Sequence, residues 1–272
     1  MQAVAGTPQR IESLPDGRTT LVVRTMDDGS GEAWVMGPRT RARFKTATGV
    51  ARAVLVELNP GWAGSVLGVS MSELVDRYVT LDELWGSRGR ALRDELVAID
   101  DATELVERVT GVLAARTVES SSARLARRAV QLLDHQGRVE RAAALLGVTA
   151  RHLRRVFVES VGIGPKDYVR CMRLQRAVRN IGASDWGRVA ADAGYYDQAH
   201  LIADFHDLVG LTPTAYAKRG NRGRKPSSSR IRRPSSSVSK ARARSASEPD
   251  GGGSPTDANS VASSGASSST TL

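Results

Sequence analysis

One pattern, written twice in the second half of the chain, constrains its fold more than any other feature. Ala143 and Gly147 stand four residues apart, as do Ala190 and Gly194. Each pair precedes a short apolar-periodic stretch and then a matching exit, VGIGPKDYV in the first copy and VGLTPTAYA in the second. An internal repeat of this kind implies two copies of one supersecondary unit. In the first copy, Val139 to Phe157, small or apolar residues fall at Ala142, Ala143, Leu146, Val148, Leu153 and Val156. That spacing predicts two short helices joined by a three-residue turn, with Gly147 where the turn needs a positive φ and Thr149 as N-cap of the second helix. Ala143 is small enough to let the helices approach, and Leu153 and Val156 fill the angle between them. The second copy, Trp186 to Phe205, has Tyr195 in place of Val148 and a turn one residue longer.

The face left over in the first copy is basic. Arg151, Arg154 and Arg155 lie at i, i+3 and i+4, which makes them neighbours on a helix surface. Such a helix enters a DNA major groove with its first turns at the base edges. The plainer alternative is a helical hairpin whose arginines are a solvated face, and the repeat weighs against it. Gly162-Ile163-Gly164-Pro165 ends this helix and starts a linker helix that reaches about Asn180, Pro165 being suited to a first helical turn. Arg170, Arg173, Arg176 and Arg179 ride on it. Ahead of the repeat, a helix from Ser122 to His135 is expected, with Leu125, Ala129, Leu132 and Leu133 inward and Gly137 as its stop.

Residues Arg138 to Arg219 therefore resemble the DNA-binding domain of AraC-type (AraC/XylS) transcriptional regulators. In that family two helix-turn-helix units are joined by a linker helix. The matching stretches are AALLGVTARHLRRVF, GPKDYVRCMRLQRA, VAADAGYYDQAHLIADF and GLTPTAYAKR. The resemblance places base contacts on Arg151, Arg154 and Arg155, and the chemistry agrees: arginine pairs bidentately with guanine O6 and N7. His152, Thr149 and the amides of Thr149 and Ala150 are assigned to phosphate. The second unit departs from the family pattern, because Ala203, His206 and Asp207 stand where an arginine and lysines are usual. Gln198 and His200 are its remaining base-reading candidates. Between 181 and 217 the single cation Arg188 meets five aspartates, a net −4, whereas 124–179 carries thirteen cations against four acids, a net +9. The second unit is expected to repel a polyanion and to contribute little.

Residues 1–116 read as a small β-rich domain with helices. Runs at Leu21–Val23, Trp34–Met36 and Ala53–Leu58 predict strands, bounded by Pro15-Asp16-Gly17, Gly37-Pro38 and Asn59-Pro60-Gly61. Short helices are expected over Ser72–Tyr78, with Ser72 as cap, and over Arg90–Ile99. A stronger one covers Asp101–Arg116, where Leu105, Val109, Val112 and Leu113 form a stripe expected to face its own core rather than a second copy. LPDGRTTLVV, MGPRT, NPGWAGSVLGV and ELWG resemble the effector-sensing half attached to some such regulators. That resemblance implies a small-molecule effector, with Trp34 and Trp62 in or beside the sheet, or else a dimerisation module.

The single cysteine, Cys171, rules out an internal disulfide and a cysteine-rich metal site, and it is expected to be an inert thiol. The four histidines, His135, His152, His200 and His206, show no i, i+4 ligand pair, so no metal or cofactor is expected. No Gly-rich phosphate loop, G-x-S-x-G elbow or His-Glu-x-x-His is present, and residues 1–116 contain neither His nor Cys. An enzyme is therefore not expected. No run approaches a membrane span and no signal peptide is recognised, so a cytoplasmic protein is anticipated.

The net charge of +10 is uneven. From Lys218 onward eleven cations meet three acids, a net +8, in a Ser/Arg-rich stretch expected to be disordered from Gly220. The expected architecture is α+β: a sensor or dimerisation domain at 1–116, a double helix-turn-helix domain at 122–219 and a basic tail at 220–272. The function it implies is sequence-specific, double-stranded DNA-binding transcriptional regulation, with an effector and RNA polymerase as further partners. Two rivals are a nucleoid-type protein binding DNA by charge alone and an enzyme domain delivered to DNA.

Overall fold

The computed structural model describes residues 9–181 and 185–221. The described residues hold six strands, five at the start, β1 Gln9–Ser13, β2 Thr19–Met26, β3 Gly31–Met36, β4 Arg43–Ala47 and β5 Val50–Leu58, and a sixth, β6 Tyr78–Thr80, after the first helix. Four form an antiparallel sheet in the order β5-β2-β3-β6, and β1 pairs with β4 as a separate antiparallel ribbon. The three expected strands lie inside β2, β3 and β5. Alternate residues of the sheet, Leu21, Val23, Ala33, Val35, Val54 and Val79, are buried on one face. They pack with residues of α1 (Ala63–Leu67), α2 (Leu81–Trp85), α3 (Ser87–Ala98) and α4 (Ala102–Arg116). Leu105, Val109 and Leu113 of α4 belong to this cluster and face their own core, as expected, whereas Val112, the fourth residue of the expected stripe, is half-buried outside it.

Ser72–Tyr78 is not a helix. A single 3-10 turn, Met71–Leu74, is followed by Asp76 at φ 56° and then by β6. Met36 pairs with Tyr78, and the Gly37 N–H donates to Arg77 O at 3.0 Å. Closing the sheet edge overrides the local helical pattern, and the cap that forms lies elsewhere. Thr80 Oγ1 accepts from the Glu83 N–H at 3.2 Å, and the Glu83 carboxylate accepts from the Thr80 N–H at 2.7 Å, a complete capping box.

The remaining elements are helices: α5 Ser121–Gln136, α6 Val139–Leu145, α7 Ala150–Val161, α8 Pro165–Arg179, α9 Trp186–Ala193, α10 Gln198–Val209 and α11 Pro213–Asn221. The N-cap of α5 is Ser120, which accepts from the Ala123 N–H, not Ser122; its stop is Gly137 in the left-handed region. Thr149 caps α7 and Pro165 opens α8, both as expected. No helix among the described residues is long and apolar enough to cross a membrane. α11 extends to Asn221, and the rest of the stretch assigned to a disordered tail lies outside the described residues.

Two further hydrophobic clusters belong to the helical half. One joins α5, α6, α7 and the start of α8 around Leu133, Leu153, Phe157 and Tyr168. The other joins the end of α8 to α9 and α10 around Leu174, Ala190, Leu201 and Phe205, and Leu14 and Phe44 from the β ribbon region pack against it. The sheet domain therefore docks directly on both units. A Cβ at Gly17, in the expected Pro-Asp-Gly turn, would stand 2.8 Å from the Tyr168 ring, and one at Gly162 would stand 2.8 Å from Met71 O. The Ala42 N–H donates to Leu208 O at 2.7 Å, and Gln175 Nε2 donates to Pro15 O at 3.0 Å.

Candidate nucleic-acid interface

The repeat is built the same way twice. In the first unit Gly147 has φ 67° and the Val148 N–H returns to Ala143 O at 3.1 Å. In the second Gly194 has φ 86° and the Tyr195 N–H returns to Ala190 O at 2.9 Å. A side chain at either glycine would be strained, and a larger residue at either buried alanine would push its helices apart. The exits match as well. Phe157 meets Tyr168 edge-on at 5.4 Å and 63°, and Phe205 meets Tyr216 at 5.4 Å and 64°. Each exit tyrosine thus locks the back of its unit's second helix.

That back face is apolar: Leu153, Val156 and Phe157 of α7 are buried. Its opposite face carries Arg151, Arg154 and Arg155, all exposed. The structure brings these three together on one surface. Arg154 is held across the helix angle by Glu140 of α6 at 2.8 Å, and Arg155 Nη2 lies 3.4 Å from His152 Nδ1. Thr149 Oγ1 accepts from the His152 N–H at 3.1 Å, so its hydroxyl is committed to the cap. Ala150 follows it as the first helical residue.

α10 repeats α7 position by position from its N-cap. Asp197 takes the place of Thr149 and accepts from the His200 N–H at 2.7 Å, while Leu201, Phe205, Val209 and Gly210 fall where Leu153, Phe157, Val161 and Gly162 do. Gln198 is exposed at the helix start. His200 is turned toward its own unit, its ring edge-on to Tyr195 at 5.2 Å and its Nε2 3.9 Å from Asp204.

Two of the second unit's five aspartates, Asp204 and Asp207, are paired with cations from outside the unit, which lowers the negative charge that the count along the chain assigns to it. Asp185 caps α9 by accepting from the Gly187 N–H, and Asp197 caps α10. Asp192 lies 3.9 Å from Arg188. Asp204, 8 % exposed, is bound by Arg170 of α8 at 2.8 Å. Asp207 is shared by Arg170 at 2.9 Å and Arg41 of the sheet domain at 3.0 Å. Hydrogen bonding from Arg170 holds Asp207 below the usual carboxylate range, and donating to Asp204 raises Arg170. A charge count along the chain could not reveal this, because Arg170 and Arg41 are remote in sequence from their partners.

Trp34 and Trp62 do not share a site. Trp62 lies under the Arg127 guanidinium of α5 at 4.0 Å, at the junction of the two halves. Trp34 lines an open groove of about 520 Å³ with Tyr78, Arg24, Lys45 and Arg93. Cys171 is buried, and burial pushes its thiol up to about 12.

Two units of this form, each with its own apolar cluster and joined by a helix of about 22 Å, make up a double helix-turn-helix of the kind that DNA-binding transcription regulators use. Residues 142–219 match the family model described as a helix-turn-helix domain. Residues 1–80 match a domain of unknown function (DUF6597). No curated protein matches the chain. Among solved structures, a DNA-binding transcriptional dual regulator from Escherichia coli K-12 is 24% identical over 35% of this chain and 96% of its own, with a TM-score of 0.30. ToxT from Vibrio cholerae is 10% identical over 79% of this chain and 98% of its own, with a TM-score of 0.41. ToxT bound to (E)-4-(8-methylnaphthalen-1-yl)but-3-enoic acid is likewise 10% identical, over 80% and 96%, with a TM-score of 0.40. At these TM-scores the likeness carries no functional inference.

Proposed function

We propose that the protein is a sequence-specific, double-stranded DNA-binding transcription regulator whose first unit reads bases through Arg151, Arg154 and Arg155. The observation that carries this reading is the position of the three guanidiniums: one exposed surface at the start of a capped, rigidly backed helix. Arginine at such a place pairs with guanine in the major groove, each good pair giving about 1–3 kcal/mol of discrimination. Thr149, Ala150 and His152 serve the flanking phosphate, through backbone amides at the helix start and the imidazole. In the second unit Gln198 has the freer access to bases, and His200 the lesser, since its own unit holds its ring.

The test compares full-length protein on its selected site and on random duplexes at physiological salt. A regulator prefers its site by about 10³ or more. A ratio near one would make the protein an architectural binder that works by charge.

Residues 1–116 are proposed to sense a small molecule. The groove beside Trp34 and Tyr78 supports this, because it combines aromatic surface with several charged groups. Compounds that raise the melting temperature of the full chain should also change its DNA affinity. If none does, a constitutive dimerisation module is the better account of this half.

A further inference from the structure

The same register that places three arginines on α7 places three uncharged residues on α10. Counting from the N-caps Thr149 and Asp197, Arg151 corresponds to Ala199, Arg154 to Ile202 and Arg155 to Ala203. All three are exposed, and Ile202, at 38 % exposure, is one of the few large apolar side chains left open on the described surface. Tyr196, 93 % exposed, stands immediately before the N-cap Asp197. Asp204 and Asp207, on the same helix, are bound by Arg170 and Arg41, so neither carboxylate belongs to this stripe. An apolar stripe at i, i+3 and i+4 on the outward face is not part of the unit's core, which is filled by Leu201, Phe205, Leu208 and Val209 from the other side.

In a major groove an apolar side chain has one complementary partner among the base edges, the C5-methyl of thymine. We infer that the second unit recognises thymine methyl groups through Ala199, Ile202 and Ala203, whereas the first recognises guanine through its arginines. This rests on the proposed reading of α7 and α10 as the two DNA-reading helices. The two halves of the site then differ in chemistry: one is read by charge-assisted hydrogen bonds, the other by burial of methyl groups. Ala199 and Ala203, being short, let the helix approach closely enough for Ile202 to cover a methyl. The second unit, which net charge alone would dismiss, thereby acquires base selectivity.

The experiment uses the full chain and a duplex selected from a random library. Base preferences altered by Arg154→Ala mark the half read by α7, and the other half is then synthesised with deoxyuridine in place of thymidine, which removes the methyl and leaves Watson–Crick pairing intact. Affinity should fall about fourfold for each methyl covered, the value of one buried methyl group. Ile202→Ala should bind the thymine and uracil versions within twofold of each other at the position it covers. Ile202 is exposed, so this variant should keep the wild-type melting temperature, and the uracil measurement on wild-type protein needs no variant at all. If the protein selects a site but uracil throughout the second half leaves affinity unchanged, the inference is overturned and the apolar stripe belongs to a protein partner. If Ile202→Ala still discriminates thymine from uracil, Ile202 is not the reader. If no site is selected, the reading of both helices falls with it.

Discussion

Each of the three arginines on α7 has a distinct setting, and the settings predict distinct losses. Alanine at Arg151 or Arg155 should cost about 1–3 kcal/mol of site affinity and relax preference at one or two positions. Arg154 is oriented by Glu140, so Glu140→Gln should weaken the same base preference that Arg154→Ala removes, with a smaller effect. Titrations against single-base variants of the site measure this. A uniform loss on specific and random DNA alike would make these residues phosphate contacts. Cys171 offers a separate check on packing. A buried thiol raised to about 12 is almost wholly protonated at pH 8. It should not react with a disulfide reagent until the protein is unfolded, and prompt modification of native protein would contradict its placement.

Between elements, the contact that matters most is the pair of aspartates on α10 gripped by Arg170 of α8. Arg170→Met leaves the buried Asp204 without its cation and should cost roughly 2–3 kcal/mol, less than a fully buried pair because Arg170 is a third exposed. Asp207→Asn should cost far less, since that carboxylate is largely solvated. Its acid dependence has a definite sign. Asp207 is depressed by Arg170, so its contribution is complete above the ordinary aspartate value of about 3.9 and is lost only as pH falls through the lower, folded value. Chemical denaturation of wild type and Asp207→Asn between pH 5 and 2 should show the difference shrinking at the acid end. This cluster also marks where sequence reasoning stops. The repeat, both turn glycines, the Thr149 cap, the Pro165 start and the inward stripe of α4 were legible, because each is a local pattern with a local cause. β1 and β4 were not, because QRIES and RFKTA carry no apolar alternation and pair only with each other. The stretch 72–78 was misread because pairing with β3 decides its conformation. The true environment of Asp204 and Asp207 depends on residues that only the fold brings near.

At the scale of the whole molecule, the sheet domain bears on both helix-turn-helix units. Ala42 and Arg41 meet the end of α10, while Pro38 lies close to Gly162 at the end of α7. One loop of the sheet domain therefore reaches the C-terminal ends of both candidate reading helices and leaves their N-terminal faces open. The basic stretch from Lys218 begins in α11 and continues outside the described residues. It follows a second unit whose Asp204 and Asp207 are paired with Arg170 and Arg41 while Asp185, Asp192 and Asp197 stay exposed. If about four of its cations neutralise phosphates, truncation after Ala217 should shallow the slope of log K against log salt by roughly 3 to 4 without altering base preference. An unchanged slope would make it a solvated appendage.

The central claim is that the chain carries two unlike reading helices. Selection of bound duplexes from a random library by the full-length protein tests it most directly. The account predicts one asymmetric site, with guanine positions lost in Arg151, Arg154 or Arg155 variants and thymine positions in a second half about one helical turn, 10–10.5 base pairs, away. Recovery of no enriched sequence, or of a site whose second half is as guanine-dependent as the first, would contradict it.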